Sequence, residues 1–184
     1  MRSPIYNRLA WGTSPTDYAR FAAAAIASSD GPLLEVGAGT AAASAQLHAR
    51  SRRPTVLVDL SRDMLEHAGR RIAAAIGDER QLPPHIRLVQ ADLFTLPFPA
   101  NGFTTIMGLG LTHLFDDLPA LVTALRAQLI AGGELYLAGL VAQTRRGRIY
   151  LKVLNQLVNS PHQGPPHNFI ACWERRRSSI RRAA

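Results

Sequence analysis

From residue 33 to residue 140, short and almost wholly apolar runs alternate with stretches of helical period, and few folds accept that pattern. Leu33–Val36 is closed by glycines and leads into the Ala-rich stretch 41–50, a good helix former. Residues 55–58 are β-branched and apolar, and Ser61 then stands where a helix N-cap belongs. Over 62–76 the apolar positions Met64, Leu65, Ala68, Ile72 and Ala75 recur at helical spacing. A third strand is expected at 86–89, after Pro83 and Pro84, and a fourth at 103–107. Residues 118–130 predict a helix with Leu121, Val122, Leu125 and Leu129 on one face, capped by Asp116 or Asp117 and stopped by Gly132 and Gly133. A fifth strand follows at 134–140. Strands that alternate with helices pair in parallel through right-handed crossovers, so the expected class is α/β: a doubly wound, mostly parallel sheet with helices on both faces. The apolar strands agree, because such a sheet is covered on both sides.

A chain of 184 residues with 47% hydrophobic residues suits one domain with a sizeable core, which excludes disorder over most of its length. Cys172 is the sole cysteine, so an intrachain disulfide scaffold is excluded. No apolar run approaches the ~20 residues that span a bilayer. Residues 21–27 after Arg20 read as a short Ala-rich helix rather than a signal peptide, and a cytoplasmic location is expected. The net charge of +8 resides wholly after Thr144, where nine basic residues face Glu174 alone. The domain itself is neutral, and its basicity is no argument for nucleic acid. The expected organisation is a leader with lid helices over 1–30, an α/β ligand-binding domain over 31–160, and a Pro-rich and Arg-rich tail over 161–184.

The first strand runs into Glu35-Val36-Gly37-Ala38-Gly39-Thr40 and then a helix. Glycines there let the backbone turn sharply and approach a ligand. A bare G-x-G is common, but Asp59 ends the second strand 20 residues beyond Gly39, where a carboxylate can accept from two ribose hydroxyls. Asp92 follows the third strand. Each acid alone reads best as a solvated strand end or a helix cap; three on successive strand ends read better as a site, since that edge of an open α/β sheet binds ligands. Glu35 precedes the turn rather than a helix, and a carboxylate on an apolar strand end needs a partner, for which a cationic amine on a ligand is suited.

These residues resemble the class I S-adenosylmethionine-dependent methyltransferases, of the small-molecule type. The matching segments are LLEVGAGTAAAS (33–44), VLVDLSRDML (56–65), VQADLFTLPFPANGF (89–103), THLFDD (112–117) and LRAQLIAGGELYLAG (125–139). The resemblance implies a Rossmann-like sheet and S-adenosyl-L-methionine as cofactor. It implies that Glu35, Gly37, Ala38 and Gly39 frame the methionine end, and that Asp59 holds the ribose with Leu60 and Met64 beside the adenine. Asp92 would accept from the adenine amino group, Leu93 would give a backbone contact, and Gly108 would pass close to the methyl sulfonium. In-line attack on that methyl draws much of its rate from proximity and orientation. An NAD enzyme is disfavoured: its fingerprint wants a third glycine where Ala42 stands, a modest test that the acid before the glycines and ADLFTLPF reinforce.

Two departures from the family stand out. Thr104 follows Phe103 where the family usually has Asp. After strand five the family continues with a helix and two strands, the last antiparallel. Here 148–158 suits the helix and 169–173 one strand, so the C-terminal strands are expected to be incomplete and the sheet edge to be covered by something else, such as a second subunit. His113 is placed by the resemblance near the acceptor, as a neutral base; a loop histidine packed on the following helix is an equal reading. No metal-ligand spacing joins His85, His162 and His167, and no metal is expected. Tyr6, Trp11 and Tyr18 suit either a lid or ordinary packing, and Cys172 a small buried hydrophobe. The arginine tail lacks interleaved aromatics for stacking on bases.

The expected function is methyl transfer from S-adenosylmethionine to a small-molecule or lipid-like acceptor. Met107-Gly108-Leu109-Gly110 lacks both the Asn/Asp-Pro-Pro-aromatic motif of amino methylation and the cysteine of pyrimidine carbon-5 methylation. The alternative is a non-catalytic methyltransferase-fold subunit, or a degenerate cofactor-binding domain that works through a homodimer mate or a partner protein.

Overall fold

The computed structural model describes residues 15–77, 81–139 and 172–175. The chain opens with helix α1 (Pro15–Ala27) and strand β1 (Leu33–Val36), followed by α2 (Ala45–Arg50) and β2 (Thr55–Asp59). Next come α3 (Arg62–Ala75), β3 (Ile86–Gln90) and β4 (Phe103–Leu109). A 3-10 turn (Thr112–Leu114), α4 (Leu118–Gln128), β5 (Leu129–Ala138) and β6 (Cys172–Arg175) complete the described elements. The strands form one sheet in the order β3-β2-β1-β4-β5-β6, parallel throughout β1 to β5, with β6 antiparallel on β5. This is the expected doubly wound, mostly parallel sheet. Because β1 lies between β2 and β4, the chain reverses its winding there, and the crevice beyond the carboxyl end of β1 is the topological switch point.

The pleat sorts the core into two faces. Leu33 and Glu35 pair with Thr55 and Leu57 on one side and Thr105 and Met107 on the other, so these residues share a face. Helices α1, α2 and α3 cover it. Ala22 and Ala25 of α1 pack with Leu33, Met107 and Tyr136, and Leu65, Ala68 and Ile72 of α3 pack with Leu57 and Ile86. The opposite face carries Leu34, Val36, Val58, Ile106, Leu135 and Leu137 under Leu121 and Leu125 of α4. Both faces are thus buried, as continuous apolar strands require.

Two helices carry the caps foreseen for them. The Ser61 hydroxyl accepts from the Met64 amide at 3.4 Å, and the Asp117 carboxylate accepts from the Ala120 amide at 2.8 Å. Two boundaries differ from expectation. Residues 41–44 stay outside α2, because the glycine turn extends through Ala41, whose φ is +49°. The glycines at 132 and 133 do not stop α4: it ends at Gln128, and β5 begins at Leu129. Leu129 pairs with Phe103 and Glu134 with Thr105, so the extra residues form an irregularity within the strand pair, with Gly132 at φ +82°. β6 overlaps the anticipated strand at 172 and 173. The expected helix at 148–158, Tyr6, Trp11, His162, His167 and the tail from 176 lie outside the described residues, as does the Cys172 side chain.

At the amino edge of the sheet, away from the switch point, Arg53 is buried at 5% exposure. Its guanidinium donates to the carbonyls of Ala25 (2.9 Å), Ile26 (3.0 Å) and Gly31 (2.5 Å). It also reaches the hydroxyls of Ser29 (2.8 Å), Thr104 (2.9 Å) and Thr105 (2.6 Å). The end of α1, whose carbonyls have no helical partner, is thereby fastened to β4. Thr104, the departure from the family's Asp, is a member of this network.

Candidate functional site

The turn after β1 owes its shape to residues that tolerate left-handed backbone. Gly37 and Gly39 have φ of +59° and +53°. A side chain on Gly37 would overlap that of Leu111, the residue that packs over the turn from beyond β4, whereas the space beside Gly39 is open for 4 Å. The turn is stitched to β2: the Ala38 amide donates to the Val58 carbonyl at 3.0 Å, and the Gly39 amide donates to Asp59 Oδ2 at 2.7 Å. Asp59 Oδ1 accepts from the Ser61 amide at 2.9 Å. Each carboxylate oxygen has two acceptor positions, so Asp59 keeps capacity for two further donors while remaining half-buried at the crevice.

Large apolar side chains are exposed after both β2 and β3. Leu60 is 67% exposed, Met64 43% and Phe94 40%, and these account for three of the four large hydrophobic residues exposed among the described residues. Asp92 lies exposed at the end of β3, where its Oδ1 accepts from the Phe94 amide at 2.9 Å. This bond fixes the 92–94 turn and presents Phe94 edge-on to Phe115, with ring centroids 5.8 Å apart. The Ala91 amide donates to the Asp59 carbonyl, and the Gln90 side chain donates to the Leu60 carbonyl, so the ends of β2 and β3 are tied together.

The three strand-end acids therefore do not stand alike. Asp59 is half-buried and Asp92 exposed beyond the ends of their strands, whereas Glu35 is 1% exposed and points into the face beneath α2. Its Oε1 accepts from the Ser44 hydroxyl at 2.9 Å, and its Oε2 lies 2.5 Å from His48 Nε2. The partner demanded by a carboxylate on an apolar strand is thus supplied within the chain. Ser44 and His48 are functional candidates that the sequence reading missed. Their signal was faint: a serine and a histidine four residues apart in an Ala-rich stretch, hence on the same helix face.

On the far side of the crevice, Gly108 is buried in β4. A side chain there would come within 3.1–3.2 Å of Leu111, Leu137 and Val36, so tight packing on the α4 face explains this glycine. Leu93 is half-buried in the cluster on that face. His113 sits half-buried in the 3-10 turn after β4, and burial pushes its imidazole from 6.5 down to about 4. The Tyr18 hydroxyl of α1 is buried next to Gly110, has no hydrogen-bond partner among the described residues, and is pushed above its ordinary pKa by that burial. Among the described residues no group of three His, Cys, Asp or Glu side chains could hold a metal ion.

Comparisons with known proteins agree with this geometry. A family model described as a methyltransferase domain matches residues 33–133, more than half of the chain. No curated protein matches the sequence. Among solved structures, a Methanococcus maripaludis protein described as an S-adenosyl-L-methionine-dependent methyltransferase has 21% identity and a TM-score of 0.55. The alignment covers 85% of this chain and 68% of that one. The YcgJ protein of Bacillus subtilis has 22% identity and a TM-score of 0.57, over 78% of this chain and 60% of that one. The present chain thus spans roughly three fifths to two thirds of their length. Geranyl diphosphate C-methyltransferase from Streptomyces coelicolor, in complex with S-adenosyl-L-homocysteine, has 21% identity and a TM-score of 0.54. That match covers 66% of this chain and 42% of the other.

Proposed function

Since the chain belongs to the methyltransferase domain family, within the class I S-adenosylmethionine-dependent methyltransferases, we propose that it transfers a methyl group to a small apolar or lipid-like acceptor. The observation that carries this reading is the crevice at the switch point. A glycine turn tied to Asp59 stands there, and beyond β3 the exposed Phe94 meets Phe115 edge-on.

The residues fit the cofactor. Gly37, Ala38 and Gly39 offer a close backbone approach to its amino-acid arm, with Glu35 buried beneath them on Ser44 and His48. Asp59 has two free acceptor positions for the ribose hydroxyls. Leu60 and Met64 give an apolar seat to the adenine, while Asp92 accepts from the amino group and Leu93 offers its backbone. When bound, S-adenosylmethionine would supply an electrophilic methyl group on a sulfonium centre, and Gly108 of β4 is the residue that the family resemblance assigns to it.

The residues of the chain then bind and orient the acceptor. Phe94 and Phe115 form an aromatic wall on the acceptor side, with Leu96 and Leu114 in the cluster beneath it. His113, neutral through the physiological range, is a hydrogen-bonding group and a weak proton acceptor rather than a charged one. Orientation against this wall, with water excluded, is the main source of rate.

Methyl transfer from tritiated S-adenosylmethionine tests the reading on a panel of prenyl diphosphates, hydrophobic phenols and, separately, DNA, RNA and protein. Label in the extractable apolar fraction, reduced at least about tenfold by Phe94→Ala, is the expected result. Label in the macromolecules alone would contradict the acceptor class.

A further inference from the structure

Left-handed backbone recurs at every second residue of the turn after β1: Gly37, Gly39 and Ala41 have φ of +59°, +53° and +49°. The first two are glycines, which meet no penalty there. Ala41 carries a side chain, so its conformation has a steric cost that the surrounding structure must offset. Part of the offset is burial, since its methyl is 2% exposed in the cluster with Leu57, Leu65 and Ala68.

The rest comes from the peptide unit that joins Thr40 to Ala41, which is gripped at both ends. Its N–H donates to the Ala38 carbonyl at 2.9 Å. Its C=O accepts from Arg71 Nη1, in α3, at 2.9 Å, and the same nitrogen donates to Thr40 Oγ1 at 2.8 Å. Turning Ala41 to a negative φ would reorient this peptide and release both grips. Among the described residues no carboxylate pairs with Arg71, although Glu66 of the same helix pairs with Arg62 and Arg70. The inner half of the turn is held from β2, where the Ala38 amide meets the Val58 carbonyl and the Gly39 amide meets Asp59. Arg71 holds the outer half from a helix 31 residues further along the chain.

We propose that Arg71 is a positioning residue for the cofactor turn. It clamps the Thr40–Ala41 peptide in a conformation that alanine resists, and so keeps Gly39 seated on Asp59 for the ligand. The inference rests on the cofactor reading above and adds to it a dependence on α3. Clamp and strain oppose each other, so removing the strain should make the clamp dispensable.

Calorimetric titration with S-adenosylhomocysteine tests this on the full chain, Arg71→Met, Ala41→Gly and the double variant. Arg71→Met keeps an apolar stem and loses both bonds, and is expected to weaken binding about fivefold, the scale of a net hydrogen bond. Ala41→Gly alone is expected to stay within about twofold of the wild type, because glycine adopts this φ freely. Added to Arg71→Met, it is expected to restore affinity to within about twofold. Thr40→Val, which removes one of the two bonded oxygens, should show a smaller loss that Ala41→Gly also recovers, and it serves the comparison should Arg71→Met fail to fold. Unchanged affinity in Arg71→Met and Thr40→Val would overturn the proposal. A loss that glycine does not recover would overturn it too, since a direct contact to the ligand or a general loss of stability is indifferent to strain at Ala41. Failure of the unmodified chain to bind would instead overturn the cofactor reading itself.

Discussion

At Gly37 a single hydrogen atom decides the shape of the crevice. The residue combines a φ of +59° with a position where any side chain would meet Leu111. Gly37→Ala therefore carries both the left-handed backbone penalty and a packing conflict, and about 2–4 kcal/mol of stability loss is expected by urea denaturation. At Gly39 the backbone penalty stands alone, since the space beside it is open, so Gly39→Ala is expected to cost about 1–2 kcal/mol. His113 gives a prediction of a different kind. Its folded value near 4 lies below the ordinary 6.5, so the unfolded chain binds more protons between these values. The stabilisation from keeping it neutral is complete above pH 6.5 and is lost as the pH falls toward 4. Wild-type stability should therefore fall more steeply over that window than that of His113→Gln, measured by urea titration at each pH. Parallel profiles would contradict the burial of the imidazole.

Among the elements, α1 depends most on one side chain. The buried guanidinium of Arg53 joins the carbonyls at the end of this helix to the hydroxyls at the start of β4, and burial pulls its pKa down. Arg53→Met would remove the donor shared by these carbonyls and hydroxyls, leaving Ala25 and the hydroxyls with their bonds to Ser28 and to one another, and a loss of about 2–4 kcal/mol is expected. Hydrogen exchange should then accelerate over Pro15–Ala27 before it does in β1 or β4. Lysine is expected to rescue poorly, because an ammonium cannot span acceptors laid out for a planar fork. Nothing local marked Arg53 for this role, since its partners lie 22 to 52 residues away in sequence. The strands were legible because apolar runs bounded by turn residues encode them directly. The start of β5 was not: Gly132 and Gly133 resemble a helix stop, and only the pairing of Leu129 with Phe103 reveals that the strand has already begun. Likewise the residues after Gly39 have helical propensity, but the positive φ of Ala41 delays α2 to Ala45.

In the whole molecule, the order β3-β2-β1-β4-β5 brings residues from four separate segments to one crevice. The sequence reading located this edge because the acids and glycines recur at strand ends. It singled out Glu35 as the acid that needs a partner and looked for that partner on a ligand; the face beneath α2 supplies Ser44 and His48 instead, while Asp59 is half-buried and Asp92 exposed. Side-chain direction within a strand follows from register, but the depth of burial follows from which helix lands on that face, and this is a tertiary property. The antiparallel placement of Cys172–Arg175 on β5 has the same character, since only the fold brings that segment to Glu134–Leu137.

Binding of S-adenosylmethionine at the Asp59 side of the switch point underlies the proposed function. Calorimetric titration of the full chain with S-adenosylhomocysteine, beside Asp59→Ala, tests it most directly. Micromolar binding by the wild type is predicted, weakened by about 1.5–3 kcal/mol in the variant, the scale of a hydrogen bond to a charged group. Absence of binding by the folded wild type, or equal affinity in the two proteins, would contradict it.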